Sequence, residues 1–117
     1  MKPMVDIETA LIAWLPAKTG IPWHGDVPKD RPEQFGTVER TGGGISDVVI
    51  DSPTVAIQLW GRSRSDAKNL AYKARDALPA FAYEPGVRKV EVETLYNFPD
   101  EKGNQARYQI IAHFKTV

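Results

Sequence analysis

The sequence predicts an α+β domain, a mixed and mainly antiparallel sheet with two helices packed on one face. Three observations lead there. Two segments repeat apolar residues at helical spacing, several others alternate with the period of a strand, and the first strands are joined by connections too short for crossovers. The 117 residues leave room for one such domain, 1–117, with a single core.

In chain order, Met4, Ile7, Leu11, Trp14 and Leu15 form the apolar stripe of a first helix, with Asp6 and Glu8 at its start. Pro16 disfavours helical geometry at Leu15, so the helix is expected to stop there. From Gly20 to Pro32, Pro22, Gly25, Pro28 and Pro32 mark an extended arm with at most a short strand around Ile21 to His24. Phe35 to Arg40 and Ile45 to Ile50 read as strands, with Thr41-Gly42-Gly43-Gly44 as the hairpin turn between them. Asp51-Ser52-Pro53 is expected to turn the chain again. Thr54 to Trp60 then gives the clearest alternation, completing a three-stranded meander. A second helix is expected from about Asp66 to Leu78, with Ser65 or Ser63 as N-cap and Ala67, Leu70, Ala71, Ala74, Ala77 and Leu78 buried. Its alanines bring it close to the sheet, and Pro79 ends it. Val87 to Tyr96 and Ala106 to Val117 alternate as a final hairpin around the polar loop 99–104. If the long last strand lies at a sheet edge, its unpaired backbone invites a neighbour.

Fifteen Lys and Arg balance fifteen Asp and Glu, which argues against a chain whose main task is gripping polyanions. No cysteine means no disulfide, no Cys-ligated zinc and no thiol nucleophile. The longest apolar run, Ala10 to Leu15, is far short of a bilayer span. The first residues do not resemble a signal peptide, so the protein is expected to act in the compartment where it is made.

Catalytic patterns are incomplete. Gly44-Ile45-Ser46-Asp47-Val48 begins like a nucleophile elbow, but Val48 stands where a second glycine is needed. Gly42-Gly43-Gly44 is followed by no Gly-Lys-Ser/Thr and reads as a hairpin tip rather than a phosphate loop. His24 with Asp26 makes half of a metal site, and His113 is 89 positions away. No catalytic, metal or cofactor residue is therefore assigned. Arg62, Arg64, Lys68, Lys73 and Arg75 form the one basic concentration, the solvated face of a helix or a surface for an acidic partner. Only Tyr72 interrupts it, so the aromatic interleaving that stacks single-stranded bases is missing. Trp23 and Phe98 lie in irregular segments and are candidate intersubunit anchors.

The segments Val38-Glu39-Arg40-Thr41-Gly42-Gly43-Gly44, 51–63 (DSPTVAIQLWGRS) and Tyr96-Asn97-Phe98-Pro99-Asp100 with Arg107-Tyr108 resemble tail terminator proteins of long-tailed bacteriophages. These are also called tail completion or minor tail proteins. The resemblance spans roughly residues 5 to 117. It implies a non-enzymatic structural protein of the virion, six copies forming a hexameric ring that caps the completed tail tube and ends its polymerisation. Such a ring serves viral assembly by head–tail joining. Its implied partners are further copies of itself, the tail tube protein, the head–tail connector protein and genomic DNA passing through the lumen without sequence recognition. No membrane and no cofactor enter. It implies a place at the tail–neck junction after assembly in the bacterial cytoplasm. Gly42, Gly43, Gly44, Phe98 and Asp100 are then candidates for tube, connector or neighbour contacts, and Arg62, Arg64 and Arg107 for intersubunit ion pairs. Another neck or connector component is the nearest alternative. From other classes come a small enzyme using His24, Asp26 or Ser46 and a nucleic-acid-binding module using the Arg62 to Arg75 face.

Overall fold

A computed structural model describes residues 4–45 and 49–117 of the chain. Helix α1 (Ile7–Thr19) starts where the Asp6 carboxylate accepts from the Glu8 and Thr9 N–H groups, which no helical carbonyl can reach. Pro16 does not end it, contrary to expectation. One further turn follows and stops at Gly20, whose φ of 75° closes a left-handed cap with its N–H on the Pro16 carbonyl. The extra turn is held by a buried relay. Trp23 Nε1 donates to Thr19 Oγ1 at 2.8 Å, and Thr19 Oγ1 donates to the Leu15 carbonyl at 2.8 Å. These bonds, with the burial of Trp23, offset the N–H that Pro16 lacks.

Strands β1 (Trp23–His24), β2 (Phe35–Ile45) and β3 (Asp51–Gly61) follow. Helix α2 (Arg64–Ala77) is capped by Ser63 Oγ accepting from the Asp66 N–H and runs on into a 3-10 helix over Leu78–Tyr83. Strands β4 (Val87–Asn97) and β5 (Ala106–Thr116) close the chain. The sheet order is β1-β2-β3-β5-β4, parallel between β1 and β2 and antiparallel elsewhere. The predicted mixed, mainly antiparallel α+β architecture is what forms.

The meander differs in detail. In place of three strands joined by a glycine turn, β2 and β3 make one hairpin of two eleven-residue strands. Gly42, Gly43 and Gly44 pair with Thr54, Pro53 and Ser52 inside the ladder, and Asp51-Ser52-Pro53 is strand rather than turn. Ile45 ends β2, residues 46–48 lie outside the described residues, and Val49 and Ile50 are not in a strand. The register shifts between Arg40 and Gly42, a bulge, and Gly43 has φ 87°. A Cβ at Gly43 would fall on the Ser52 carbonyl oxygen, so glycine there lets the strands stay paired. Arg40 spans the bulge, with Nε donating to the Gly42 carbonyl at 3.0 Å and the guanidinium forking onto Asp51 at 2.5 and 2.8 Å.

The last strand is also not an edge. β5 lies between β3 and β4, because its alternation buries Tyr108, Ile110, Ala112 and Phe114 beneath the helices. The edges are the two-residue β1 and the eleven-residue β4. Helix α1 lies over β1 and β2, and α2 over β3 and β5. Leu11 and Leu15 from α1 and Ala67, Leu70, Ala71 and Ala74 from α2 meet Val38, Val55, Ile57, Leu59 and Ile110 of the sheet. No helix of the described residues is long and apolar enough to cross a membrane.

Candidate functional site

The face of the sheet away from the helices holds most of the polar geometry. At its Gly61 end, the Phe35 and Trp60 rings stack at 4.5 Å and 9°, and both are fully buried although no helix covers them. Two irregular segments cover them instead. Asp100, from the loop between β4 and β5, accepts from Trp60 Nε1 at 3.2 Å, the Gly103 N–H at 3.0 Å and Arg31 Nη1 at 2.6 Å. The Arg31 guanidinium, helped by Gly103 and Trp60 and opposed by burial, holds the Asp100 carboxyl well below the usual carboxylate range. Arg31 belongs to the Pro-rich arm, so this pair straps the arm to the loop across the end of the sheet.

Arg107 completes the layer. Its guanidinium carbon sits 4.3 Å from the centroid of Phe98 and 5.4 Å from that of Trp60, while Nε donates to the Phe98 carbonyl at 2.7 Å. Burial pushes its pKa below the ordinary arginine value. Phe98, Asp100 and Arg107, three of the predicted contact residues, are thus brought together, and Phe98 stays 39 % exposed. Arg62 lies at the same end, 3.2 Å from Glu33 with both side chains largely solvated, and its backbone N–H donates to Asp66 Oδ2. Arg64 is exposed at the start of α2. Gly42, Gly43 and Gly44 are at the opposite end of the hairpin from these residues. Trp23, expected as a solvent-side aromatic, is instead a core residue, 5 % exposed, because the helical turn beyond Pro16 supplies its indole with Thr19 as a partner.

Toward the middle of the same face, a polar row crosses four strands. Thr37, Gln58, Gln109 and Tyr96 occupy neighbouring positions on β2, β3, β5 and β4. Gln58 Nε2 donates to Gln109 Oε1 at 2.6 Å, and Gln109 Nε2 donates to the Tyr96 hydroxyl. A second row joins Thr54 Oγ1 to His113 Nδ1 at 3.1 Å and His113 Nε2 to Glu93 Oε1 at 2.7 Å. It has the order of a hydroxyl–imidazole–carboxylate relay. The β3 and β5 backbone beside it is paired on both sides within the sheet, while the outer side of β4, which carries Glu93, has no neighbouring strand.

His24 sits on β1 with its ring 6.4 Å from Phe35, and β2 and β3 separate it from His113 on β5. Asp26 is exposed, and Ser46 lies outside the described residues. Among the described residues no three His, Asp or Glu side chains converge as a metal site. Arg31 and the two glutamines were missed by sequence reasoning. Alternation put Gln58 and Gln109 on strands, but only the β3–β5 register shows that they face each other. A scan against protein-family models finds no match, and no curated protein is significantly similar to the chain.

Proposed function

We propose that this chain is a structural subunit of a phage neck. In this reading six copies form a ring on the finished tail tube, stop its growth and offer the connector a matching face. The genome passes through the lumen, and assembly takes place in the host cytoplasm before the ring becomes part of the virion. The reading rests on the sequence resemblance and on one structural observation that carries it. Strand β4 is an eleven-residue edge with a hydrogen-bonded neighbour on one side only, in a domain whose radius of gyration is 14.1 Å. A domain of that size does not encircle a duplex alone, whereas a cyclic head-to-tail assembly does. The strapped end of the sheet, with half-exposed Phe98 over Arg107, supplies an ordered surface for a tube or connector contact.

The test is the mass of the protein across concentration, with and without tail tube protein, by light scattering and negative-stain imaging. Rings near six times 13.0 kDa are expected, on tube ends or free. A species that stays monomeric and never joins tubes overturns the reading. Arg62→Glu should impair ring formation while leaving the melting temperature nearly unchanged, because its pair with Glu33 is solvated on both sides. Equal loss of both would assign Arg62 to the fold. A second reading, another neck or connector component, predicts rings that bind connector but leave tube growth unchecked.

A further inference from the structure

Helix α1 has more apolar surface than the core uses. Of its 13 residues only Glu8 and Lys18 are charged, and a helix that is apolar on every side is normally covered on every side. Leu11 and Leu15 meet the sheet, whereas Ala10, Ala13 and Trp14 form one wall of a groove of about 310 Å³. Phe81, Pro85 and Val87 complete it, with Phe81 edge-on to Trp14 at 5.1 Å. Glu84 lines the groove too. It is half-buried, and its carboxylate has no hydrogen-bond or ion-pair partner among the described residues. Lys18, 5.2 Å from the centre of the Trp14 ring, and Arg88, next in the chain to Val87, are exposed and also without an ion pair. The groove is aromatic and apolar inside, with one unmatched carboxylate and two unmatched cations around it.

The Pro-rich arm carries the opposite pattern. Between His24, paired in β1, and Arg31, held by Asp100, residues 25–30 make no hydrogen bond among the described residues. Val27 is 41 % exposed beside Pro28, and Asp26, Lys29 and Asp30 are exposed without ion-pair partners. The arm thus offers a short apolar knob, one cation and two carboxylates. Pro28 has its φ fixed in advance and loses little freedom on docking, and aromatic-lined grooves suit proline-containing segments. Within one copy the two do not meet. A Cβ at Gly25 would lie 3.9 Å from Ile12 Cδ1. Ile12 is two residues from both Ala10 and Trp14, about 200° round the helix, so α1 stands between arm and groove.

We infer that Val27-Pro28-Lys29 of one copy seats in the Trp14–Phe81 groove of a second copy, with Lys29 on Glu84 and with Asp26 and Asp30 toward Lys18 and Arg88. This rests on the ring reading above and names its contact. Because arm and groove lie on opposite sides of α1, each junction leaves a free groove on one copy and a free arm on the other. The contact therefore propagates head to tail and closes when the rotation allows. Val87 also begins β4, so the seated arm lies where the open edge starts.

Exchanging the central charges tests this. Lys29→Glu and Glu84→Lys each break the pair between copies, and the double variant restores it with the signs swapped. Neither side chain has a partner within its own chain, so melting temperatures should stay nearly unchanged. In light scattering at low salt, each single variant should need about tenfold more protein to assemble, and the double variant should recover most of that loss. If both single variants assemble as the unaltered chain does, or if the double variant stays as weak as they are, the inference is overturned while the ring reading stands. Single variants that self-assemble normally but no longer join tail tubes would assign the groove to the tube protein and overturn it too. If the unaltered chain never assembles, with or without tube protein, both fall.

Discussion

The two faces of the sheet are held by different physics, and β5 displays both in one strand. On the helix side, Tyr108, Ile110, Ala112 and Phe114 contribute to one continuous apolar core. On the other side, Arg107, Gln109 and His113 work through ring stacking and hydrogen bonds. Neither face is simply wet. Trp60 and Phe35 are as fully buried on the second face as Ile57 and Leu59 are on the first. What covers them is two loops clasped by an ion pair rather than a helix. The helix face should therefore answer mainly to lost volume, and the opposite face to lost partners and to pH.

The largest effect should come from the helix face. Ile57 is fully buried between the helices and the centre of the sheet, so Ile57→Ala should lower stability by about 3 kcal/mol, read from urea unfolding. A loss below about 1 kcal/mol would mean that this face is loosely packed, and the contrast between faces would fail.

Next comes the strap. Asp100→Asn keeps the shape of the side chain but removes the charge that Arg31 meets, and it should cost about 2 kcal/mol near neutral pH. Asp100 is held below its ordinary pKa, so the stability it adds is complete above about pH 4 and drains away as pH falls through the acid range. The gap between variant and unaltered chain should shrink from pH 7 to pH 3. A gap that stays constant would show that the charge of Asp100 is not what secures the loops. Ile57→Ala should show no such narrowing, which separates the two faces by pH alone.

How far the sequence discloses this arrangement follows from the range of the forces involved. Helix caps, alternation and alanine spacing are local, and Asp6, Ser63 and the Ala106 to Thr116 period all led to the right elements. Pro16 misled because the bonds that offset its missing N–H come from Trp23, seven residues on. The glycine run misled because a turn and a bulged strand both need positive φ, and only the partner strand distinguishes them. The strap was out of reach for another reason. Arg31 and Asp100 are 69 positions apart and sit in segments that have no period at all.

The glycine run sharpens the contrast at the far end of the hairpin. Gly43→Ala should destabilise by about 1 to 2 kcal/mol, because an alanine must hold φ near 87° and crowd the Ser52 carbonyl. Gly44→Ala meets nothing within 4 Å and should change little. Equal effects at both positions would show that the bulge does not depend on Gly43.

The smallest effect belongs to the glutamine row, and it asks whether the second face is cooperative or merely polite to solvent. Gln58 and Gln109 share a 2.6 Å bond, and Gln109 is 7 % exposed with Tyr96 on its other side. Replacing Gln58 alone by Leu strands the Gln109 carbonyl in a nearly dry position and should cost about 1 kcal/mol. Replacing both by Leu removes the pair together and leaves apolar surface against Ala56 and Ile111. The double variant should therefore lose less than the two single losses summed, with a coupling of about 0.5 to 1 kcal/mol in a double-mutant cycle. Additive losses would mean that each amide bonds to water independently. The face would then owe its order to the strap and the ring stack at one end, with no row of side chains carrying that order across the strands.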